Sequence, residues 1–539
     1  MKHTFEKVRL DQEKKAKEKK KNRSWRTFAG ILLFAQAATS GYAYFRAHTL
    51  GMFPNKLLFT FGGVLVILLF LNYLLFFAGT KANAARTFRR FIAIVLSLAV
   101  CGGAVYAGNV MDKVYKTVKE ITISDKADAA ATMNVYVRYD DPAQNIEECK
   151  GYSFGVIGGY DGPASFAAVT KINSRLGTQV NASDFASIAE VADALLKNNV
   201  GAAVIEHNYV EILKETDQYS DFGDKARLIA TIEITHDELT QAEASNPYSA
   251  AGTADKPVEI KTATGKVENV DLEPFIVYIS GSDTREKMFT ISRSDVNILM
   301  VVNPQTKQIL LLNTPRDYFI PNPRSGSGTE DKLTHLGLYG VDCSITGLEN
   351  LYDCDINYYI QINFTGVEKL VDDIGGVTID NPRSFTSYNN PNYYYEEGVI
   401  TLNGSEALAY ARERYAFAEG DNMRGQNQMR LITAMFKKVT SSPTLIMNYK
   451  TILDDLDGYI VTNMEADEID SLVRMQLNDF PTWNIQSYAV TGWGGMDTTY
   501  SAPWEELYVT YPYYSTVVQG QDLIDRVLDG EILTDEDVE

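Results

Sequence analysis

Three apolar stretches follow one another near the start of this chain: Thr27 to Phe45, Leu57 to Ala78, and Phe91 to Val110. Each is close to the ~20 residues a helix needs to cross a bilayer. Whatever follows must therefore fold beside a membrane anchor. Eleven Lys/Arg, including Lys19-Lys20-Lys21, precede the first stretch. Arg46 and Lys56 bracket the short connection through Gly51, Pro54 and Asn55, and Lys81, Arg86, Arg89 and Arg90 separate the second stretch from the third. The positive-inside rule puts the N-terminus and the second connection in the cytoplasm. Three crossings then carry everything beyond about residue 110 outside. A cleaved signal peptide fits poorly, because three stretches stand in series and none ends in a clear small-residue cleavage site. Residues 1–26 read as a basic cytoplasmic tail that marks orientation or touches anionic lipid.

The chain has 539 residues and a formal charge of −20, yet residues 1–110 hold 17 Lys/Arg and only four Asp/Glu. The remainder carries 33 Lys/Arg against 66 Asp/Glu. That acidity excludes bulk affinity for nucleic acid in the outer part. The length suffices for two or three domains with buried cores.

Of four cysteines, Cys101 lies in the third apolar stretch and Cys149 stands alone in the first outer segment. Cys343 and Cys354 flank a helix-like segment, Ser344 to Tyr352. Outside the cell that pair could close a local disulfide. No histidines cluster near them, which argues against zinc.

Residues 111–124 look like a helical stalk. Beyond it, Met133 to Arg138, Ser153 to Ile157 and Val200 to Glu206 read as strands, and Pro163 to Leu176 and Ala182 to Lys197 as amphipathic helices. This is a small α/β unit without a phosphate loop or metal spacing. Leu239 to Val270 is polar and reads as a linker.

A larger α/β domain begins with the buried-strand pattern Phe275 to Ser280, then Gly281-Ser-Asp283-Thr-Arg285. Ser292-Arg293-Ser-Asp295 precedes a second apolar run, Val296 to Val302, and Gln308 to Asn313 leads into Thr314-Pro-Arg316-Asp317. Polar motifs thus sit at strand ends, where open α/β sheets build ligand sites. Asp283 and Asp295 are a natural pair for Mg²⁺, completed by ligand phosphate oxygens and water. Tyr358 to Phe364 is strand-like and Val367 to Ile374 helical. Gly375-Gly376 reads as a turn, with Asp372 and Asp373 at a solvated helix end.

Arg412, Arg414, Arg424 and Gln428 fall within seventeen positions. If Tyr410 to Arg414 is extended, Arg412 and Arg414 point to one side. If Asn422 to Lys437 is helical, Arg424 and Gln428 sit one turn apart. Forked guanidinium groups match phosphate oxygens, so the cluster points to a phosphorylated or pyrophosphorylated ligand. The plainer readings are structural pairing: Arg316 with Asp317, Glu413 with the arginines beside it, and Tyr393-Tyr394-Tyr395 packing its own loop rather than stacking on sugars.

Six pieces in order resemble the LytR–CpsA–Psr family of bacterial cell-wall enzymes. They are Gly281-Ser-Asp-Thr-Arg, Ser292-Arg-Ser-Asp, Thr314-Pro-Arg-Asp, Leu370-Val-Asp-Asp-Ile-Gly-Gly-Val, Leu402-Asn-Gly-Ser-Glu-Ala-Leu-Ala-Tyr-Ala-Arg-Glu-Arg, and Asp421-Asn-Met-Arg-Gly-Gln-Asn-Gln. Three apolar stretches ahead of an accessory domain look like the streptococcal capsule-associated branch. The resemblance implies a Gram-positive cell membrane and a phosphotransferase that moves a glycan phosphate from undecaprenyl pyrophosphate onto peptidoglycan. It implies Mg²⁺ (or Mn²⁺) at Asp283 and Asp295, and pyrophosphate on Arg316, Arg412, Arg414, Arg424 and Gln428. Arg285 and Arg293 support that set, and the lipid lies in an apolar tunnel. Asp295, then Asp421, is the candidate to orient or deprotonate the acceptor hydroxyl. Membrane lipid and capsule export or kinase machinery are further expected partners. The alternatives are a membrane-tethered regulator of wall or capsule expression, and a polyprenyl-pyrophosphate hydrolase or sensor.

The expected architecture is α/β: three N-terminal transmembrane helices at 27–110, a stalk, small α/β accessory domain and linker at 111–270, and a catalytic domain at 271–520 with a central sheet flanked by helices. An acidic tail is expected at 521–539.

Overall fold

The computed structural model describes the chain apart from residues 1, 51–52, 54, 79–83, 122–128, 249–266, 286–291, 419, 443–451, 453–454 and 539. The end of the expected stalk, most of the expected linker and Lys81 lie outside the described residues. Two compact units form: Met1–Glu120 with Pro443–Asp454 and Glu465–Pro481, and Ile121–Ser442 with Asp455–Met464 and Thr482–Glu539.

The first unit holds the helices Lys2–Leu50, Asn55–Phe77 and Ala84–Ile121, together with Ala466–Asp479. One polar side chain from each of the first three meets in a buried knot. Gln36 Oε1 accepts from Asn72 Nδ2 and from Ser97 Oγ, both at 2.7 Å, and Asn72 Nδ2 also donates to Ser97 Oγ at 3.2 Å. Such groups are costly in an apolar setting unless they bond to one another. Among the described residues two helices are long and apolar enough to cross a membrane, Asn55–Phe77 and Arg86–Asp112. The expected first span, Thr27 to Phe45, does not qualify. It belongs to the 49-residue Lys2–Leu50 helix, and Gln36, Thr39 and Ser40 dilute its apolar character.

The second unit contains two main sheets. The smaller is five-stranded, in the order Asn181–Phe185, Ser153–Ile157, Ala202–Glu206, Ala129–Arg138, Ala226–Thr235. Helices Gly162–Leu176 and Ile188–Leu196 cover it, with Val135, Phe154, Ile172 and Leu195 fully buried. The expected helix Ala182 to Lys197 is in fact a strand followed by a shorter helix. Asn181–Phe185 pairs in parallel with Ser153–Ile157. Ser187 then starts the helix by accepting from the Glu190 backbone N–H at 3.3 Å, an N-cap that sets the boundary.

The larger sheet is six-stranded, in the order Ile460–Thr462, Tyr358–Asn363, Phe275–Ser282, Val296–Asn303, Gln308–Asn313, Asn484–Ala489. Its central strands Phe275–Ser282, Val296–Asn303 and Gln308–Asn313 are largely apolar and buried, as in sheets covered on both faces. The two-residue alternation of side chains divides them. Ile276, Tyr278, Leu299, Val301, Leu310 and Leu312 pack with Ile345 and Leu348 of helix Val341–Tyr352 and with Val517, Leu523 and Ile524 of helix Tyr514–Leu528. Ile279, Val296, Ile360 and Ile362 face the other way, into a cavity.

Helix Tyr514–Leu528 and buried Leu533 make much of the expected acidic tail part of this core. Gln308 fixes the segment, donating to the Glu531 carbonyl and accepting from the Leu533 N–H, each at 2.7 Å. Cys343 and Cys354 are free thiols rather than a disulfide. The helix Val341–Tyr352 runs between them. At ~1.5 Å per residue it holds their Cα atoms on the order of 15 Å apart, beyond the roughly 7 Å a disulfide spans.

Candidate active site

Four segments bring the charged residues together. Asp283 follows the Phe275–Ser282 strand and Asp295 precedes Val296–Asn303, so their antiparallel pairing puts both carboxylates at one end of the sheet. Arg316 leaves the neighbouring Gln308–Asn313 strand at the same end. Helix Asp421–Ser441 supplies Arg424 and Gln428 on one face, as the one-turn spacing expects.

The Arg412 to Arg414 segment is built differently from the expected strand. Residues Gly404–Arg412 are helical, started by a capping box between Asn403 and Glu406, and the chain turns extended at Glu413 (φ −68°, ψ 125°). Glu413 is fully buried and pairs with neither arginine. Its carboxylate accepts backbone N–H groups of Arg414, Tyr415 and Ala416 at 3.0–3.1 Å and of Tyr388 at 2.8 Å. A carboxylate so bonded is a rigid peg. It bends the chain so that both flanking arginines reach the same cavity.

That cavity has a volume of about 480 Å³. Its polar part is made by Asp283, Asp295, Arg316, Arg412, Arg414, Arg424 and Gln428, and its apolar part by Ile279, Val296, Ile360, Ile362, Val367, Leu431, Ile432 and Met435 among others. The two carboxylates, four arginines and glutamine that the sequence singles out therefore share one space. Arg285 and Arg293 do not line it. Arg285 forms an exposed pair with Glu368 at 3.0 Å. Arg293 bonds Glu215 of the five-stranded domain and stands 3.7 Å from Asp283 Oδ2.

Asp295 Oδ1 accepts from Arg316 Nη1 at 2.9 Å and from Thr334 Oγ1 at 3.3 Å. Arg424 pairs with Asp421 at 2.5 Å, and the Arg412 guanidinium lies 4.1 Å from the centre of the Phe364 ring. Burial works against the Arg316 cation, but Asp295 and Asp317 outweigh it and hold its pKa well above the usual value. Arg412 is different: burial first, then the Arg285 charge, lower its pKa, and Arg424 adds to the effect. A buried cation crowded by other cations gains from an anionic ligand. Burial and the Asp295 charge raise the Asp283 carboxyl, against the pull of Arg293 and Arg316.

Among the described residues no group of three or more His, Cys, Asp or Glu side chains converges as a metal site. Asp283 and Asp295 are two hard oxygen donors on one wall, near enough to repel. That donor set fits a divalent cation that keeps waters and takes phosphate oxygens, and does not fit an all-protein cage.

The family model LytR_cpsA_psr matches residues 238–508. The chain belongs to the LytR–CpsA–Psr family. The matched span contains Asp283, Asp295, Arg316, Arg412, Arg414, Arg424 and Gln428 of the cavity. This LytR–CpsA–Psr chain is 34% identical over 225 residues to the polyisoprenyl-teichoic acid–peptidoglycan teichoic acid transferase TagU of Halalkalibacterium halodurans, covering 41% of this chain and 71% of that one. It is 33% identical over 199 residues to the Enterococcus faecalis protein of the same name, covering 36% and 64%. The solved structure of B. subtilis TagV is 24% identical and covers 48% of this chain and 98% of that one, at a TM-score of 0.41.

Two contributors to the site were not legible beforehand. Glu413 read as an ion-pair partner, although a buried Glu inside a bend is a common acceptor for backbone N–H groups. Glu215 carried no local signal at all, because its partners lie ~80 to 120 residues away in sequence.

Proposed function

We propose that this protein is a phosphotransferase that moves a glycopolymer, as its phosphate, from a polyprenyl pyrophosphate onto a peptidoglycan hydroxyl. The observation carrying this reading is the composition of one cavity: four arginines, a glutamine and two aspartates at one end, and an apolar lining beyond. A pyrophosphate with an isoprenoid tail has that same division. The names of the TagU relatives supply polyisoprenyl-linked teichoic acid as donor and peptidoglycan as acceptor. For this chain a capsular polysaccharide or related glycopolymer is the proposed cargo.

In the proposed reaction the acceptor oxygen bonds to the phosphorus that carries the glycan, and the bridging P–O bond breaks. Polyprenyl monophosphate leaves. The hydroxyl proton passes to a carboxylate, for which Asp295 is the first candidate and Asp421, engaged with Arg424, the second. Arg316, Arg412, Arg414 and Arg424 hold the phosphate oxygens in place and neutralise the charge that grows on them. Gln428 adds an amide donor. Mg²⁺ held by Asp283 and Asp295 would supply further charge neutralisation on those oxygens.

The anchor agrees with a lipid-linked donor. Three crossings remain the proposed topology, with Thr27 to Phe45 as the first span and its Gln36 Oε1 accepting from Asn72 and Ser97. The N-terminus is then cytoplasmic and the cavity outside a Gram-positive cell membrane.

The test uses the intact protein in detergent with lipid-pyrophosphate-linked glycan, peptidoglycan and Mg²⁺. Phosphodiester-linked product that vanishes in Arg414→Ala and Asp295→Ala supports transfer. Undiminished product in both variants defeats the site. Release of glycan phosphate into water, with no linked product, would favour the hydrolase. Supplying capsule-type and teichoic-acid-type donors side by side decides the cargo.

A further inference from the structure

The short helix Tyr209–Glu215 of the five-stranded domain ends in a charged cluster that reaches the transfer cavity through Arg293. Glu215 Oε2 bonds His335 Nε2 at 3.1 Å and Lys332 Nζ at 3.2 Å, while Oε1 bonds Arg293 Nη1. Behind His335 lies Asp331, whose Oδ1 is 2.8 Å from the ring Nδ1. His335 and Asp331 are fully buried. The other end of the Arg293 guanidinium stands 3.7 Å from Asp283 Oδ2. One carboxylate of the small domain therefore shares an arginine with a carboxylate of the cavity.

The contact also has an apolar part. Leu338, Ala502 and Leu507 of the large domain pack in one apolar cluster with Ile205, Val210 and Phe222 of the small one. At the other end of helix Tyr209–Glu215, Arg324 Nη2 bonds Asp161 Oδ1 at 2.8 Å, and both bond the Tyr209 hydroxyl.

The geometry points to Glu215 as a positioning residue for the divalent cation proposed at Asp283 and Asp295. An arginine that is 3.7 Å from a carboxylate, with a second carboxylate holding it from behind, is not free to close on the first. Without the Glu215 charge, Arg293 swings onto Asp283 and competes with the cation for the same oxygens. The small domain thus keeps Asp283 available. This rests on the metal reading given above.

The signs of two substitutions separate this from simple structural support. Glu215→Gln removes the restraining charge and weakens cation binding, by roughly five- to tenfold for a coupling of this kind. Arg293→Met removes the competitor and tightens it. The double variant is expected to behave as Arg293→Met, because Arg293 is the side chain that joins Glu215 to Asp283. Asp161→Asn disturbs the same domain contact away from the cavity and leaves cation affinity unchanged.

The measurement is Mn²⁺ titration of the intact protein followed by electron paramagnetic resonance, with thermal unfolding recorded for every variant. Weaker binding in Glu215→Gln, tighter binding in Arg293→Met and non-additivity in the double variant are the expected results. Unchanged affinity in Glu215→Gln, or an equal loss in Asp161→Asn, overturns the positioning role while leaving the metal site standing. If Glu215→Gln does not fold, Arg293→Met decides alone: tighter binding supports the role, and unchanged or weaker binding overturns it. Mn²⁺ binding that is absent in the wild type, or that survives Asp283→Ala, overturns the metal site and this inference together.

Discussion

Arg316 Nη1 donates to Asp295 Oδ1 at 2.9 Å, tying together the ends of two neighbouring strands at the cavity. The pair is mostly buried, with side-chain exposures of 23% and 15%. Removing one partner leaves the other charge uncompensated. Arg316→Ala should therefore lower transfer roughly 100-fold, as loss of one preorganised donor does, and should also lower the unfolding temperature. Arg316→Lys keeps the charge but loses the fork, so it should recover stability more fully than activity. Initial rates and thermal melts on the same preparations check both parts.

The apolar part of the cavity should govern affinity for the lipid, not for the phosphates. Ile432 lies on the cavity side of helix Asp421–Ser441. Ile432→Trp should weaken binding of a long polyprenyl pyrophosphate about tenfold or more while leaving inorganic pyrophosphate within about twofold. Equilibrium binding of the two ligands to the variant distinguishes these effects. An equal loss for both would mean that the helix itself had moved.

Gly425 lies between Arg424 and the residues that follow it on the helix, and a Cβ there would fall 2.3 Å from Asn313 Nδ2. Alanine normally stabilises a helix interior by ~1 kcal/mol over glycine. Here the clash with a buried Asn should reverse that sign. Gly425→Ala is expected to destabilise by ~1–3 kcal/mol, the usual scale for overpacking. It should also lower transfer, since the same helix carries Arg424 and Gln428. Denaturant unfolding and rate measurement test this.

His335 should make stability depend on alkaline pH. Burial lowers its pKa, but Asp331 and Glu215 more than compensate and raise it from 6.5 to about 9. A pKa raised by folding stabilises most fully below the unfolded value and loses that contribution as pH rises through the folded one. Thermal stability should therefore fall between about pH 7 and pH 9.5. His335→Gln should start lower and show a flatter profile.

Cys343 and Cys354 should remain thiols in the purified protein under air. Burial first, with nearby carboxylates adding to it, pushes both up to about 12. Such thiols react slowly. Alkylation should be slow for folded protein and complete after denaturation without any reductant. A mass decrease of two hydrogen atoms before alkylation would reveal a bridge.

Much of the site was legible because its residues sit at strand ends and one turn apart on a helix, where local periodicity suffices. The six-stranded sheet was likewise visible as apolar runs such as Phe275 to Ser280 and Gln308 to Asn313. What failed depended on contacts distant in sequence. Asn181–Phe185 is a strand because Ser153–Ile157 lies beside it, although the whole of Ala182 to Lys197 has helical spacing. The segment after Gln521 looked like an acidic tail because its charges dominate the composition. Its buried Leu523, Ile524 and Val527 recur at helical intervals and fasten it to the sheet. Arg412 and Arg414 reach one cavity by a helix end and the Glu413 peg, not by strand alternation. The two side chains converge as the strand reading expected, but through a different local geometry.

The most direct test is an experimental structure of the intact protein with a polyprenyl pyrophosphate bound. Both phosphates should lie within hydrogen-bond distance of Arg316, Arg412, Arg414, Arg424 or Gln428, with the isoprenoid chain running past Ile360, Leu431 and Ile432. A pyrophosphate bound elsewhere, or a lipid chain that leaves this cavity empty, would contradict the account.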